Sequence, residues 1–299
     1  MRIYFALLLT CVLCGGSLKR RSLSGSGAAA AAFVGLATAS NDNVLFTAVL
    51  LSFFLTSTFW TKYQGRVKAK IDPEFVAASR RDWKQVLCNG GLGALISLIY
   101  QWHFDGRRPE DMSTAERRLM TVLVWGYVAF YACCAADTWA SEIGSLSSNW
   151  PVLITTLRPV PPGTNGGVSK LGMMSSFAGG AAVGLAADVA QWAQYLPAFR
   201  AGVLPRVPYI MVGSVFGVLG SALDSLLGAT VQASYLVGKC AVSDLPAAKR
   251  RQLAEVKVIC GRDLLSNNMV NAVASTCTVA IAVGLLSLAG AASPESGRR

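Results

Sequence analysis

Residues 217–232 read GVLGSALDSLLGATVQ and close an apolar segment, 207–231, in which Asp224 is the one charged residue. A helix needs about 20 apolar residues to cross the hydrocarbon of a bilayer, and 207–231 satisfies that length. Seven more stretches of the same character flank it, at 3–18, 23–40, 44–60, 86–104, 119–136, 171–190 and 267–290. The composition agrees. Of 299 residues 53% are hydrophobic and only 14% charged, and the mean hydropathy is +0.45. Soluble domains carry about 25% charged residues, so a soluble single-core enzyme is excluded. Disorder is excluded by the hydrophobicity, and a disulfide-stapled scaffold by the 8 Cys in a chain of this length. The expected fold is all-α: a polytopic membrane helix bundle of about eight transmembrane helices, forming a single integral membrane domain over 1–299.

The count drops to seven if the first helix is cleaved. Arg2, a short apolar run and Gly15-Gly16-Ser17 have the form of a signal peptide, but Lys19-Arg20-Arg21 follows directly, which favours an uncleaved helix. The 23–40 stretch is built from Ala, Gly and Ser, as expected of an interior helix that allows close packing. Of the 27 Lys and Arg, 18 fall on one set of alternate connections and 9 on the other. The bias puts the longer connections 61–85, 137–170 and 232–266 on the cytoplasmic side. An endoplasmic reticulum or plastid-type membrane suits this reading. The bilayer is then the expected partner, the basic loop serves topology or anionic lipid, and no nucleic acid is expected. Oligomeric state stays open.

Cys11 and Cys14 have redox spacing but lie within an apolar run, and a single His cannot complete a zinc site; the cysteines read as packing residues. The polar residues at the segment ends are more informative. A carboxylate inside a membrane helix is costly and faces the bundle interior or a wet cavity, which singles out Asp224. Asp137 and Glu142 close the 119–136 segment. Gly163, Thr164, Asn165, Gly166 and Gly167 form a turn-rich link, and Asn268 and Asn271 open the last segment. Under the alternation, these open toward the same basic face. Asp188 lies near the other end and reads as an interfacial or pairing residue. Two or three carboxylates suit Mg²⁺ that keeps waters and binds substrate phosphates, while a Gly-rich turn presents N–H groups to phosphate oxygens. Each feature also has a plain reading. Asp137 and Glu142 can cap a helix or pair with Arg158, and Gly163 to Gly167 can be only a loop.

These same residues carry a resemblance. Ser22-Leu23-Ser24-Gly25-Ser26-Gly27-Ala28, Trp83-Lys84-Gln85-Val86-Leu87-Cys88-Asn89-Gly90, the ADTWASE run at 136–142, Pro162 to Ser169, GSALDSLLGATVQ and Asn267-Asn268-x-Val270-Asn271 look like the transmembrane protein 19 family, in its order and over nearly the whole chain from Ser17. Plant proteins resembling that family include a chloroplast phytyl-phosphate kinase. Gly220-Ser221-x-x-Asp224-Ser225 is also similar to a metal-binding run of CTP-using membrane enzymes such as phosphatidate cytidylyltransferases. The chain departs from the family at Ser266, where members carry an acid, and at Ser79-Arg80-Arg81-Asp82-Trp83, where the family has Gly-Gln-Arg-Asn-Trp.

The resemblance implies a Mg-nucleotide-dependent phosphotransferase, a CTP-dependent prenyl-phosphate kinase acting on isoprenyl (phytyl-type) monophosphate. Asp137, Glu142 and Asp224 would be the catalytic residues and hold Mg²⁺. Gly163, Thr164, Asn165, Gly166 and Gly167 would cradle phosphates and Arg81 or Lys84 would neutralise charge, with Asn89, Asn268 and Asn271 hydrogen-bonding to phosphate or metal-bound water. The alternatives are a transporter or channel lined by Asp224 and the asparagines, and a non-catalytic multi-pass membrane protein.

Overall fold

The computed structural model describes residues 2–65, 80–204, 207–238, 240–243, 245 and 256–292. Much of the basic 61–85 connection, including Arg66, Lys68 and Lys70, lies outside the described residues, as do Ser79, Arg206, Lys239, Lys249, Arg298 and Arg299.

Helices α1 (Arg2–Lys19), α2 (Gly25–Ala39) and α3 (Val44–Lys62) open the chain. After the short α4 (Trp83–Cys88) come α5 (Gly91–Phe104), α6 (Thr114–Gly144), α7 (Lys170–Arg200), α8 (Tyr209–Val231) and α9 (Asn267–Ala292). The chain is a polytopic helical membrane protein. Among the described residues six helices (α1, α3, α6, α7, α8 and α9) are long and apolar enough to span. The two shorter segments differ from full spans for visible reasons. Ser24 caps α2, its side chain accepting from Gly27 N, and the 15 residues that follow reach about 22 Å at 1.5 Å per residue. The expected 86–104 span is broken at the turn-favouring pair Asn89-Gly90 into α4, of 6 residues, and α5, of 14.

Small polar caps set most helix starts. Asn43 caps α3, Asp82 caps α4 and Ser169 caps α7, while Ser113 and Glu116 form a capping box on α6. Helix α8 has no cap of its own. Asp188, from α7, supplies it: its two carboxylate oxygens accept the Tyr209 and Ile210 N–H groups at 2.8 and 2.9 Å. That fixes Asp188 as a pairing residue.

Helix α6 is the axis. Every residue from Gly126 to Ala136 is buried, which requires neighbours on all sides, and α3, α5, α7, α8 and α9 supply them. Between α7 and α8 the contact is glycine on glycine. A Cβ at Gly180 would strike the Gly213 carbonyl, one at Gly184 the Tyr209 backbone, and one at Gly217 the Gly180 Cα. In a bilayer, where lipid tails are as apolar as leucine, such close backbone approach is the main source of helix association. Helix α1, by contrast, packs chiefly on α2.

The connections contain strands that the all-α expectation omits. Val152–Leu153 (β1) pairs antiparallel with Gly167–Val168 (β2). Ser234–Val237 (β3) lies between Cys240–Ser243 (β4) and Val256–Cys260 (β5) in an antiparallel sheet. Short runs such as Val256-Lys257-Val258-Ile259, rich in β-branched residues, favour the pleated form once outside the bilayer.

The helix order puts the 145–169 and 232–266 connections at one end of the bundle and the 105–113 connection at the other. In a cysteine-free background, single cysteines at Leu157 and Leu264, both exposed, are expected to react with a membrane-impermeant maleimide from one side. A cysteine at Glu110 is expected to react from the opposite side. Labelling of all three from one side would contradict this arrangement.

Candidate functional site

A cavity of about 410 Å³ lies between α1, α2 and α3, the α4–α5 break and the ends of α6 and α9. Its two ends differ in chemistry. Leu9 and Leu13 of α1, Ala31 and Val34 of α2, and Leu50, Leu51, Phe53 and Phe54 of α3 form apolar walls. At the other end Arg81, Gln85, Asn89, Asp137, Thr138, Ser141, Glu142, Gly163, Asn267 and Asn271 converge.

A half-buried pair of acids forms where α6 meets α8. Gly220 lies against the Cys133 side chain, so close that a Cβ there would collide with it. Both helices run toward the same end of the bundle. One turn further along each, four residues on, Asp137 and Asp224 come together, their carboxyls close enough to interact. The Asn271 amide, its nitrogen turned to the carboxylate, donates to Asp224 Oδ2 at 3.1 Å and to the Asn267 carbonyl at 3.0 Å. With the amide so turned, its oxygen is the atom that faces the Asn89 side chain, 3.5 Å away at the α4–α5 break.

Arg81 is held by its own backbone. Its N–H donates to the Ser22 carbonyl at 3.1 Å and its carbonyl accepts from Ser24 N at 3.0 Å, a parallel bridge across Leu23. Gly27 leaves the space for that carbonyl, since any Cβ there would overlap it. The Arg81 Nη2 group reaches Thr61 Oγ1 at 3.5 Å. Burial pulls the guanidinium below the ordinary arginine range, and the Glu142 carboxylate, favouring the charged form, offsets part of that.

Three expectations need correction. Among the described residues no three His, Cys, Asp or Glu side chains come close enough to hold one metal ion, so Asp137, Glu142 and Asp224 are not a single cluster. Glu142 lies five residues beyond Asp137, turned about 140° and carried about 7 Å along the helix, toward Arg81. The glycine run is mostly spent on packing. Only Gly163 lines the cavity. The Thr164 hydroxyl donates to the Pro161 carbonyl, Asn165 N donates to Ser234 Oγ, and Gly166, at φ +73, lies flush against Ser225 and Ala229 of α8. Gly167 sits in the β1–β2 pair. Lys84 is exposed, its ammonium 5.8 Å from the neighbouring Trp83 ring. Neither Lys84 nor Asn268 lines the cavity, whereas Arg81 and Asn267 do.

Gln85, Thr138, Ser141 and Asn267 were not anticipated. Helical spacing carried a signal for most of them. Gln85 and Asn89 are four apart, and Asp137, Thr138, Ser141, Glu142 and Ser145 form one stripe, all on the cavity.

Comparison with known proteins places the chain. The model of the family described as "Integral membrane protein DUF92" matches residues 8–279. The chain belongs to the DUF92 family. Among relatives, Protein PGR of Arabidopsis thaliana is 36% identical over 278 residues, 93% of each chain. An uncharacterised membrane protein of Methanocaldococcus jannaschii is 26% identical over 230 residues, 77% of this chain and 83% of its own. No solved structure matches the chain. The DUF92 match runs from α1 into α9 and so includes every helix that lines the cavity.

The Gly220–Cys133 contact is tested by Gly220→Val, expected to push α8 off α6 and lower stability by about 1–3 kcal/mol in a detergent thermal melt. Asp137→Asn, which places an amide beside Asp224 instead of a second acid, is expected to stay within about 1 kcal/mol of wild type.

Proposed function

We propose that this DUF92 protein is a Mg-nucleotide-dependent phosphotransferase that acts on a lipid monophosphate, of the isoprenyl (phytyl-type) class, with CTP as donor. The observation that carries the reading is the two-ended cavity. A substrate with a hydrocarbon tail and a phosphate head matches apolar walls on α1–α3 that lead to a guanidinium, four amide side chains and the carboxyls of Asp137 and Glu142, while Asp224, beside Asp137, does not itself line the cavity.

In this reading Arg81 grips the phosphate head, for which a planar guanidinium is well suited. Glu142 keeps that guanidinium in place when the site is empty. Asn89, Asn271, Gln85 and Asn267 hydrogen-bond to phosphate oxygens and orient them, and the apolar walls keep water from the head. Phosphoryl transfer asks little covalent work of a protein, so alignment and charge stabilisation supply the rate.

The carboxyl pair fits Mg²⁺ by its donor chemistry. One or two carboxylates with substrate phosphates and waters are its usual environment, and Asp137 and Asp224 would be the residues that hold it. When bound, it would neutralise charge on the phosphates. Glu142 has no place in that set, and of the glycine run Gly163 faces the cavity while Gly166 fits against α8.

A second reading, a transporter, draws on polar residues buried at the opposite end: Asn41 bonds to Ser97, and Asn43 to Tyr100 and Gln191. Between the two ends, however, Phe46, Tyr100, Tyr127 and Tyr131 pack ring on ring, with centroids 4.4 to 4.9 Å apart along the chain of contacts.

Purified protein with Mg-CTP and phytyl, farnesyl or geranylgeranyl monophosphate is expected to form the diphosphate, and Asp224→Asn to lose at least 100-fold of that rate, on the scale of a lost charge-stabilising group. Equal silence of wild type and variant across donors and tails would overturn the phosphotransferase. Nucleotide-independent flux into proteoliposomes would favour the transporter.

A further inference from the structure

The head of the cavity is marked by Arg81 and Thr61, 3.5 Å apart, and Thr61 stands on the last turn of α3. The wall can be followed down the same helix through Phe54, Phe53, Leu51 and Leu50 to Thr47, the lowest α3 residue on the cavity. Fourteen residues separate Thr61 from Thr47, or about 21 Å of helix at 1.5 Å per residue. Helix α2 runs the same distance in the opposite chain sense and ends its contribution at Ala39, and Leu9 of α1 is the matching residue on the third wall.

Below that level the packing changes character. The buried Asn41 amide donates to Ser97 Oγ at 3.2 Å and to its carbonyl at 3.0 Å, and the buried Asn43 amide donates to the Tyr100 hydroxyl at 3.1 Å. Phe46 fills the space beside Tyr100. A hydrocarbon pushed past Thr47 would have to part those hydrogen-bonded pairs and leave buried amides unsatisfied, which is costlier than losing the bonds to water. A slot that loses contact area gradually would give a shallow preference for tail length. A slot closed by a satisfied polar layer gives a sharp one.

We infer that Thr47 and Ala39 form the floor of a tail-measuring slot, which selects single-chain lipid phosphates by the length of their main chain. This rests on the lipid-phosphate reading of the cavity and adds the residues that set its substrate. An extended chain advances about 1.2 Å per backbone bond, so 21 Å less the few ångströms taken by the head corresponds to roughly 14–16 main-chain carbons. A four-isoprene tail reaches the floor. A three-isoprene tail leaves the lower walls of Leu9, Ala39 and Thr47 uncovered, and a six-isoprene tail meets the polar layer.

Binding of farnesyl, geranylgeranyl and hexaprenyl monophosphate to the purified full chain, measured without nucleotide by ligand-induced thermal shift and by competition, tests this. Wild type is expected to bind geranylgeranyl monophosphate at least tenfold more tightly than either neighbour in the series. Thr47→Phe raises the floor by about one side chain and is expected to lose tenfold or more for geranylgeranyl while farnesyl changes less than threefold. Ala39→Leu does the same from the facing helix and serves if Thr47→Phe fails to fold. An affinity that keeps rising to hexaprenyl, or a wild-type ranking retained in the folded variants, would overturn the floor. The phosphotransferase fails separately: a tenfold preference for four isoprenes with no transfer from any nucleotide leaves the slot standing and removes the enzyme, and transfer without tail preference does the reverse.

Discussion

The closeness of α8 to α6 and α7 is the constraint on which the rest of this protein depends. Backbone meets backbone at Gly180, Gly213 and Gly217, and at Gly220 the helix rests on Cys133 with no room for a side chain. Because α6 and α8 run in the same direction there, a contact at one turn fixes the contact at the next. The Asp137–Asp224 pair is therefore a consequence of Gly220. A bilayer gives helices little hydrophobic reason to associate, so van der Waals contact between bare backbones has to do it, and that precision carries over to the acids.

Other polar residues serve the same placement from outside the helices. Asp188 caps α8 at its start and Gly166 fits against it near its end, so the helix bearing Asp224 is located at both ends by residues of other elements. Arg81 arrives by a different route, a short strand-like bridge to Ser22-Leu23-Ser24. The cavity thus draws its acids from close-packed spanning helices and its guanidinium from a loop. Burial disfavours the Arg81 charge, and the Glu142 carboxylate offsets part of that. This division of labour separates Glu142 from the other two acids despite their common motif.

The fold was largely legible from the chain. Apolar segments such as 207–231 announce themselves because a helix must satisfy its own backbone in hydrocarbon and must be long enough to cross it. Asp224 stood out too, since a carboxylate within a membrane helix is costly, and Asp137 stood out at a span end, whereas Arg81, Asn89 and Asn271 were given their roles through the family resemblance. The strands β1 to β5 were not, because two- to five-residue runs outside the bilayer carry no period long enough to read.

Sequence by itself determined the class of the protein, its helical segments and the residues worth watching, because hydropathy, charge and backbone rules act on each stretch independently. Only the tertiary structure decided how those residues were used: that Asp224 meets Asp137 but not Glu142, that Gly166 packs against α8 while Gly163 faces the cavity, and that Asn267 rather than Asn268 lines it. Such outcomes depend on which face of a helix turns toward which neighbour, and on gaps of a few ångströms set by side chains far apart in the chain.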